Sequence, residues 1–162
     1  MFNVGDKVVY PMHGAGIIEN IESRQILGET RDYYIIRILY GRMQVMVPVL
    51  ESEKAGLRGI TDRSGIDTIL SVLASESSQM DDNWNRRNRD NMEKLKTGDL
   101  SQVSEVVRNL TRMDMVRKLS TGEKKLLGNA RQILISEMTL VCDIAESEAA
   151  AMIDEAIGVA GK

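Results

Sequence analysis

Cysteine occurs once in the 162 residues of this chain, histidine once and proline twice. A single thiol excludes a disulfide framework, and one thiol with one imidazole cannot complete a structural zinc site. Aromatics are scarce at 4%, with one Trp, one Phe and four Tyr, so Ile, Val, Leu and ten Met must fill the interior. No run approaches the roughly 18 uninterrupted apolar residues of a membrane span. The opening MFNVGDKVVY lacks the apolar core of a signal peptide. These absences predict a soluble protein of a reducing compartment, with the cytoplasm as its expected location and no membrane partner. With 43% hydrophobic and 28% charged residues, the chain can build a core and is not globally disordered. Its length fits one ordinary domain or two small ones.

Catalytic constellations are missing too. His13 and Cys142 fall in different predicted halves, and Cys142 lies in an apolar helical stretch where a thiol is ordinary packing. Gly14-Ala15-Gly16 has the first spacing of a dinucleotide fingerprint, but it precedes a strand and no third glycine follows in place. Phosphate-loop, zinc-protease and nucleophile-elbow motifs are not found. The expectation is a protein that is not an enzyme, with no catalytic residues, no metal and no cofactor.

The period of the apolar residues changes along the chain. The first sixty residues read as strands: Lys7–Tyr10 stopping at Pro11, a segment carrying Ile17, Ile18 and Ile21, the run Tyr33–Tyr40, and Met43–Val47 after a Gly41-Arg42 turn. Leu57–Ile60 offers a fifth. Five short strands with glycine turns predict a small barrel or a bent, partly open sheet. From Ser64 the period becomes helical. Ser64 and Asp67 resemble a capping box, a helix starts at Asp82 or Asn83 and stops at Thr97-Gly98, and Asp99 caps the next. Ser120 and Glu123 open the longest helix, and an Ala-rich helix covers Glu146–Ile157. The predicted fold class is α+β, with a β domain over 1–60 and a domain of about five helices over 61–162.

The net charge of −3 conceals a pattern: residues 1–83 carry −4, residues 84–131 carry +6 and residues 132–162 carry −5. A basic segment between acidic ones is a local electrostatic footprint, although charge runs also simply solvate helix faces. Within it, Asn83-Trp84-Asn85-Arg86-Arg87-Asn88-Arg89 sets the lone Trp at a helix start beside three Arg and three Asn. Helix N-termini and arginines suit phosphate, and an aromatic ring can stack on a base or wedge a base step. The competing reading is a core stripe, because Trp84, Asn88, Met92 and Leu95 lie near helical spacing. Lys124 and Lys125 sit against the dipole of the longest helix, a second basic point. In the β half, Met43–Val47 ends the sheet, where an edge can accept a strand from another protein unless Arg42 blunts it. Met46 is either exposed there or packed in the core.

Five stretches then carry a resemblance. VGDKVVYPMHGAG at 4–16, VPV at 47–49, NWNRRNRDNMEKLKTGDL at 83–100, EVVRNL at 105–110 and LSTGEKKLLGNARQIL at 119–134 closely resemble, in order and over essentially the whole chain, the bacterial CarD family of transcription regulators. The resemblance implies a Tudor-like N-terminal domain, shared with transcription-repair coupling factors, that docks on the β subunit of RNA polymerase. It implies a helical domain that meets promoter DNA at the upstream edge of the transcription bubble. Trp84 matches the minor-groove wedge and Arg86 and Arg87 the phosphate contacts, with Lys124 beside the same DNA; Arg89 and Lys125 join them as basic neighbours. Arg24 and Met46-Val47-Pro48 match the polymerase-facing part of the β domain, with Arg42 at its edge. Met46 stands where some members carry a basic residue, Asn88 where an aromatic is frequent, and Leu110-Thr111 lacks an aromatic often found after the leucine.

The implied action is stabilisation of the open promoter complex by a monomer that reads little base sequence. Two rivals come from other classes. A protein-interaction adaptor without DNA contact would use the same basic helices on an acidic partner. A reader of a modified cation would need an aromatic cage from Tyr10, Tyr33, Tyr34 and Tyr40, of which Tyr33 and Tyr34 point to opposite sheet faces.

Overall fold

The computed structural model describes residues 1–159. Its first third is one antiparallel sheet of β1 (Lys7–Tyr10), β2 (Gly14–Ile26), β3 (Glu29–Ile38), β4 (Met43–Pro48) and β5 (Arg58–Gly59) in the order β4-β3-β2-β1-β5. The sheet bends but does not close, leaving β4 and β5 as edges. Five helices follow among the described residues: α1 (Arg63–Ala74), α2 (Trp84–Lys96), α3 (Leu100–Val116), α4 (Thr121–Cys142) and α5 (Glu146–Ile157). The fold is α+β, as expected.

Two strands are longer than expected. β2 has 13 residues and β3 has 10, yet β4 covers only Tyr33–Ile38 of β3 and β1 only Gly14–Ile17 of β2. The remainder, Ser23 to Asp32, projects as a two-stranded ribbon turned by Leu27-Gly28. The bulge between Ile18 and Asn20 inserts one residue and reverses which side chains face inward. Beyond it, Ile21, Tyr34 and Val47 share the inner face with Ile18 and Ile36. Asn20, Glu22 and Arg24 share the outer face with Tyr33, Ile35, Met46 and Pro48. Val8, Ile18, Tyr34, Ile36, Ile38, Val47 and Leu57 form the buried cluster on the inner face.

The helices follow their caps. Asn83 accepts from Arg86 N at 3.1 Å, Asp99 from Gln102 N at 3.0 Å and Ser120 from Glu123 N at 3.2 Å. The first helix is capped by Asp62, whose carboxylate accepts from Gly65 N, rather than by the expected Ser64. Their core centres on Leu73, Leu95, Val106, Leu110, Leu134, Met138 and Ile153.

The sheet is fastened to the helices by polar links. Arg58 on β5 grips Glu137 on α4 with two bonds of 2.9 and 3.0 Å, and Thr61 N donates to the same carboxylate at 2.8 Å. Arg58 also donates to Gly98 O, so one side chain ties the sheet to α4 and to the α2–α3 turn. Ala15 N donates to Ser136 Oγ at 3.0 Å. Gly14, at φ 93°, lies where an added Cβ would sit 2.8 Å from that hydroxyl, so only glycine fits both the backbone and the approach of α4.

Candidate functional site

Helical phase decides which side chains of α2 reach solvent. The buried stripe is Arg87, Asn91 and Leu95; of the expected stripe Trp84, Asn88, Met92 and Leu95, Leu95 lies on it, while Asn88 and Met92 fall to one side and are half-buried. Trp84 is in phase with that stripe at 100° per residue, but as the first residue of α2 it overhangs the end of the core and keeps 45% of its surface exposed. Its indole N–H donates to Ser120 Oγ at 2.9 Å, and the ring edge lies over Gly122, 3.8 Å from where a Cβ would be. The indole thus rests across the N-terminus of α4. Exposed Lys124 and Lys125 occupy the next turn of that helix.

Beneath the indole is a saturated polar chain. Ser120 Oγ accepts from the indole and from Glu123 N, and donates to Glu123 Oε1 at 3.2 Å. Glu123 accepts Arg87 Nε at 2.8 Å and Arg87 Nη2 at 3.2 Å. Arg87 also donates to Asp81 O and Asp82 O, which lie just before the start of α2. The hydrogen bond from Arg87, opposed by desolvation, holds the Glu123 carboxyl below the usual carboxylate range. The same bond holds the Arg87 guanidinium above its ordinary value. The charged pair is the stable form of both groups.

This geometry corrects one expectation. Arg87 is 4% exposed and both faces of its guanidinium fork are occupied, so it supports the site from below and does not reach phosphate. Arg86 and Arg89 are exposed. At 100° per residue, however, both leave α2 roughly 140–160° away from Trp84 around the helix, so they form a separate flank. Lys124 and Lys125 are exposed on α4, the helix whose Ser120 cap the indole is bonded to. The charge tally of the middle segment also overstates its free cations. Arg108 and Arg112 bind backbone carbonyls around the C-terminus of α1, and Arg131 pairs with Asp154 at 2.6 Å.

On the sheet, the outer face collects Arg24, Met46 and Pro48. Arg24 is exposed and pairs with Glu22 two residues back on the same face, and that hydrogen bond lowers the Glu22 carboxyl. Met46 is 40% exposed and Pro48 half-buried on the edge strand β4. Arg42 is exposed in the turn before it, at φ 49°. Val47 is the exception. It is 1% exposed and belongs to the inner cluster, so it anchors β4 while its neighbours face out. Tyr34 is buried and Tyr33 half-buried on the opposite face, and Tyr10 stacks on His13 at 4.9 Å, so the tyrosines form no common cage.

Two features escaped the sequence reading. Ser120 is a cap and also the indole's acceptor, and Glu123, besides its place in the capping box, binds the buried Arg87. The ribbon tip is the other: Ile26 is 46% and Leu27 99% exposed. Among the described residues no group of three or more His, Cys, Asp and Glu could hold a metal, and no helix is long and apolar enough to cross a membrane.

Comparison with known proteins agrees with this layout. A family model described as the CarD-like/TRCF RID domain matches residues 2–61, and one described as the CarD C-terminal domain matches residues 68–154. YdeB of Bacillus subtilis (strain 168), whose name makes it a candidate transcription factor, is 40% identical over 148 residues. That similarity covers 91% of this chain and 97% of the relative.

Proposed function

The chain belongs to the CarD family of transcription regulators, and from that premise we propose that it holds RNA polymerase with its sheet and upstream promoter DNA with its helices. Domains of the RID type interact with RNA polymerase in general. Here the proposed docking face, directed at the β subunit, is the outer face of the sheet: Arg24, Arg42, Met46 and Pro48, with Val47 fixing the strand behind them. The open edge of β4 and the apolar ribbon tip at Ile26 and Leu27 extend that face. The two units are residues 1–60 and 61–162, working as a monomer.

The reading of the helical unit rests on one observation, the half-exposed indole of Trp84 bonded across the N-terminus of α4, the helix that carries exposed Lys124 and Lys125. An aromatic wedge enters a base step at the cost of unstacking, which is smaller where the duplex is already distorted. Lysines nearby exchange condensed counterions for phosphate contact, and Arg86 and Arg89 on the other flank of α2 hold adjoining backbone. A ligand moves an equilibrium only by its difference in affinity for the two states. A preference of about 1.4 kcal/mol for the melted junction therefore favours the open complex roughly tenfold. Tethering to polymerase raises the local concentration of the wedge at that junction. No base-edge reader is needed, because polymerase supplies the position.

The test is a promoter-opening assay with polymerase from the same organism. Trp84→Ala should keep polymerase binding and lose open-complex stabilisation, while the fold persists because nearly half of the ring is solvated already. Undiminished opening with that variant overturns the wedge. Binding to forked promoter DNA that weakens steeply with salt separates this reading from an adaptor that touches no DNA.

A further inference from the structure

The indole does not merely protrude; its direction is set from within. We propose that Ser120, held by the buried Arg87–Glu123 pair, is the positioning residue that presents the Trp84 ring to DNA. The proposal rests on Trp84 being the wedge and adds how the wedge is kept ready.

A surface Trp on the first turn of a helix has free rotamers, and fixing it on binding costs entropy. Here the hydroxyl of Ser120 is fully committed. It accepts from the indole N–H at 2.9 Å and from Glu123 N at 3.2 Å, and it donates to Glu123 Oε1 at 3.2 Å. A serine oxygen has two acceptor positions and one proton, so all three are used and the hydroxyl cannot turn away. Glu123 is 3% exposed and is itself clamped by Arg87. Arg87 in turn binds the carbonyls of Asp81 and Asp82, just before the first turn of α2 on which Trp84 sits. Both the helix that carries the ring and the oxygen that orients it are therefore pinned to one buried ion pair. Gly122 borders the seat, where an added Cβ would meet the ring edge at 3.8 Å, an ordinary van der Waals contact. The wedge enters DNA with its rotamer already selected, and Ser120 acts through Trp84 without touching DNA.

The chain has one Trp, so its emission reports on this ring alone. The variant of choice is Ser120→Gly, because it removes the hydroxyl together with its methylene while glycine remains an adequate N-cap. In the full-length protein without DNA, it should lower the steady-state anisotropy of Trp84 and raise its iodide quenching, with unchanged helical circular dichroism. In the opening assay it should shorten open-complex lifetime by about fivefold, the worth of one net hydrogen bond. Ser120→Thr, which keeps the hydroxyl and the cap, should restore both readouts. Anisotropy and quenching equal to wild type in Ser120→Gly overturn the positioning role, as does altered emission with a normal open-complex lifetime. If Trp84→Ala opens promoters normally, the wedge itself fails; the emission of Ser120→Gly still decides separately whether the hydroxyl orients the ring.

Discussion

Glu123 occupies the fourth place of an S-x-x-E motif, where a glutamate usually reaches back to the backbone of the cap. Its carboxylate also binds Arg87 from across the bundle, and this added partner has a pH signature. Because Arg87 depresses the Glu123 pKa in the folded protein, the pair's contribution to stability is complete above the unfolded carboxylate value of about 4.3. It is lost as pH falls through the lower folded value. Urea denaturation as a function of pH should show this acid loss in the wild type and a reduced loss in Glu123→Gln. Glu123→Ala, which leaves the buried guanidinium uncompensated, should cost about 3–5 kcal/mol at neutral pH. The sequence made Trp84, Lys124 and Lys125 legible as a group, since residue type and helix starts are local signals. It placed Arg87 wrongly because burial depends on helical phase. Leu95 fits both the expected and the buried stripe, and a buried arginine among polar neighbours carries no apolar mark.

Among the elements, the β2–β3 ribbon is the least expected. Ser23–Asp32 carries charged and polar residues on both faces, so it lacks the period-2 contrast that reveals a half-buried strand, and Leu27-Gly28 is not a typical turn pair. Both residues have positive φ, 53° and 81°, the type I′ geometry that favours Asn-Gly. A leucine there costs about 1–2 kcal/mol of backbone strain and is 99% exposed, an arrangement that the isolated protein gains nothing from. Leu27→Asn should therefore stabilise the protein by about 1 kcal/mol in thermal denaturation while weakening polymerase capture in a pulldown. Unaltered capture would remove the tip from the proposed docking face. The β4 hairpin was readable because Gly41-Arg42 interrupts two strongly apolar runs. The start of α1 was read two residues late because Ser64–Asp67 mimics a cap that Asp62 provides.

For the molecule as a whole, the sequence divides cleanly by period, but the junction between the halves is written in single residues far apart in the chain. Arg58 and Glu137 are separated by 79 positions, and nothing local marks them as partners. Glu137 is fully buried, while the Arg58 side chain is 32% exposed. Glu137→Ala would leave Thr61 N and Arg58 without their acceptor. Calorimetry should show one melting transition for the wild type and two for that variant, with the sheet and the helices unfolding independently. One transition at the wild-type temperature would show that apolar contact alone joins them.

That junction has a metric consequence. A bidentate ion pair, a backbone bond to Ser136 and a glycine pressed against α4 leave little freedom between the outer face of the sheet and the indole. With each end engaged, the protein would act as a caliper of fixed span. On the proposed reading, the base step it enters would be counted off from the enzyme's own frame, and moving the melted junction along the DNA by even a few base pairs would carry it beyond the jaw.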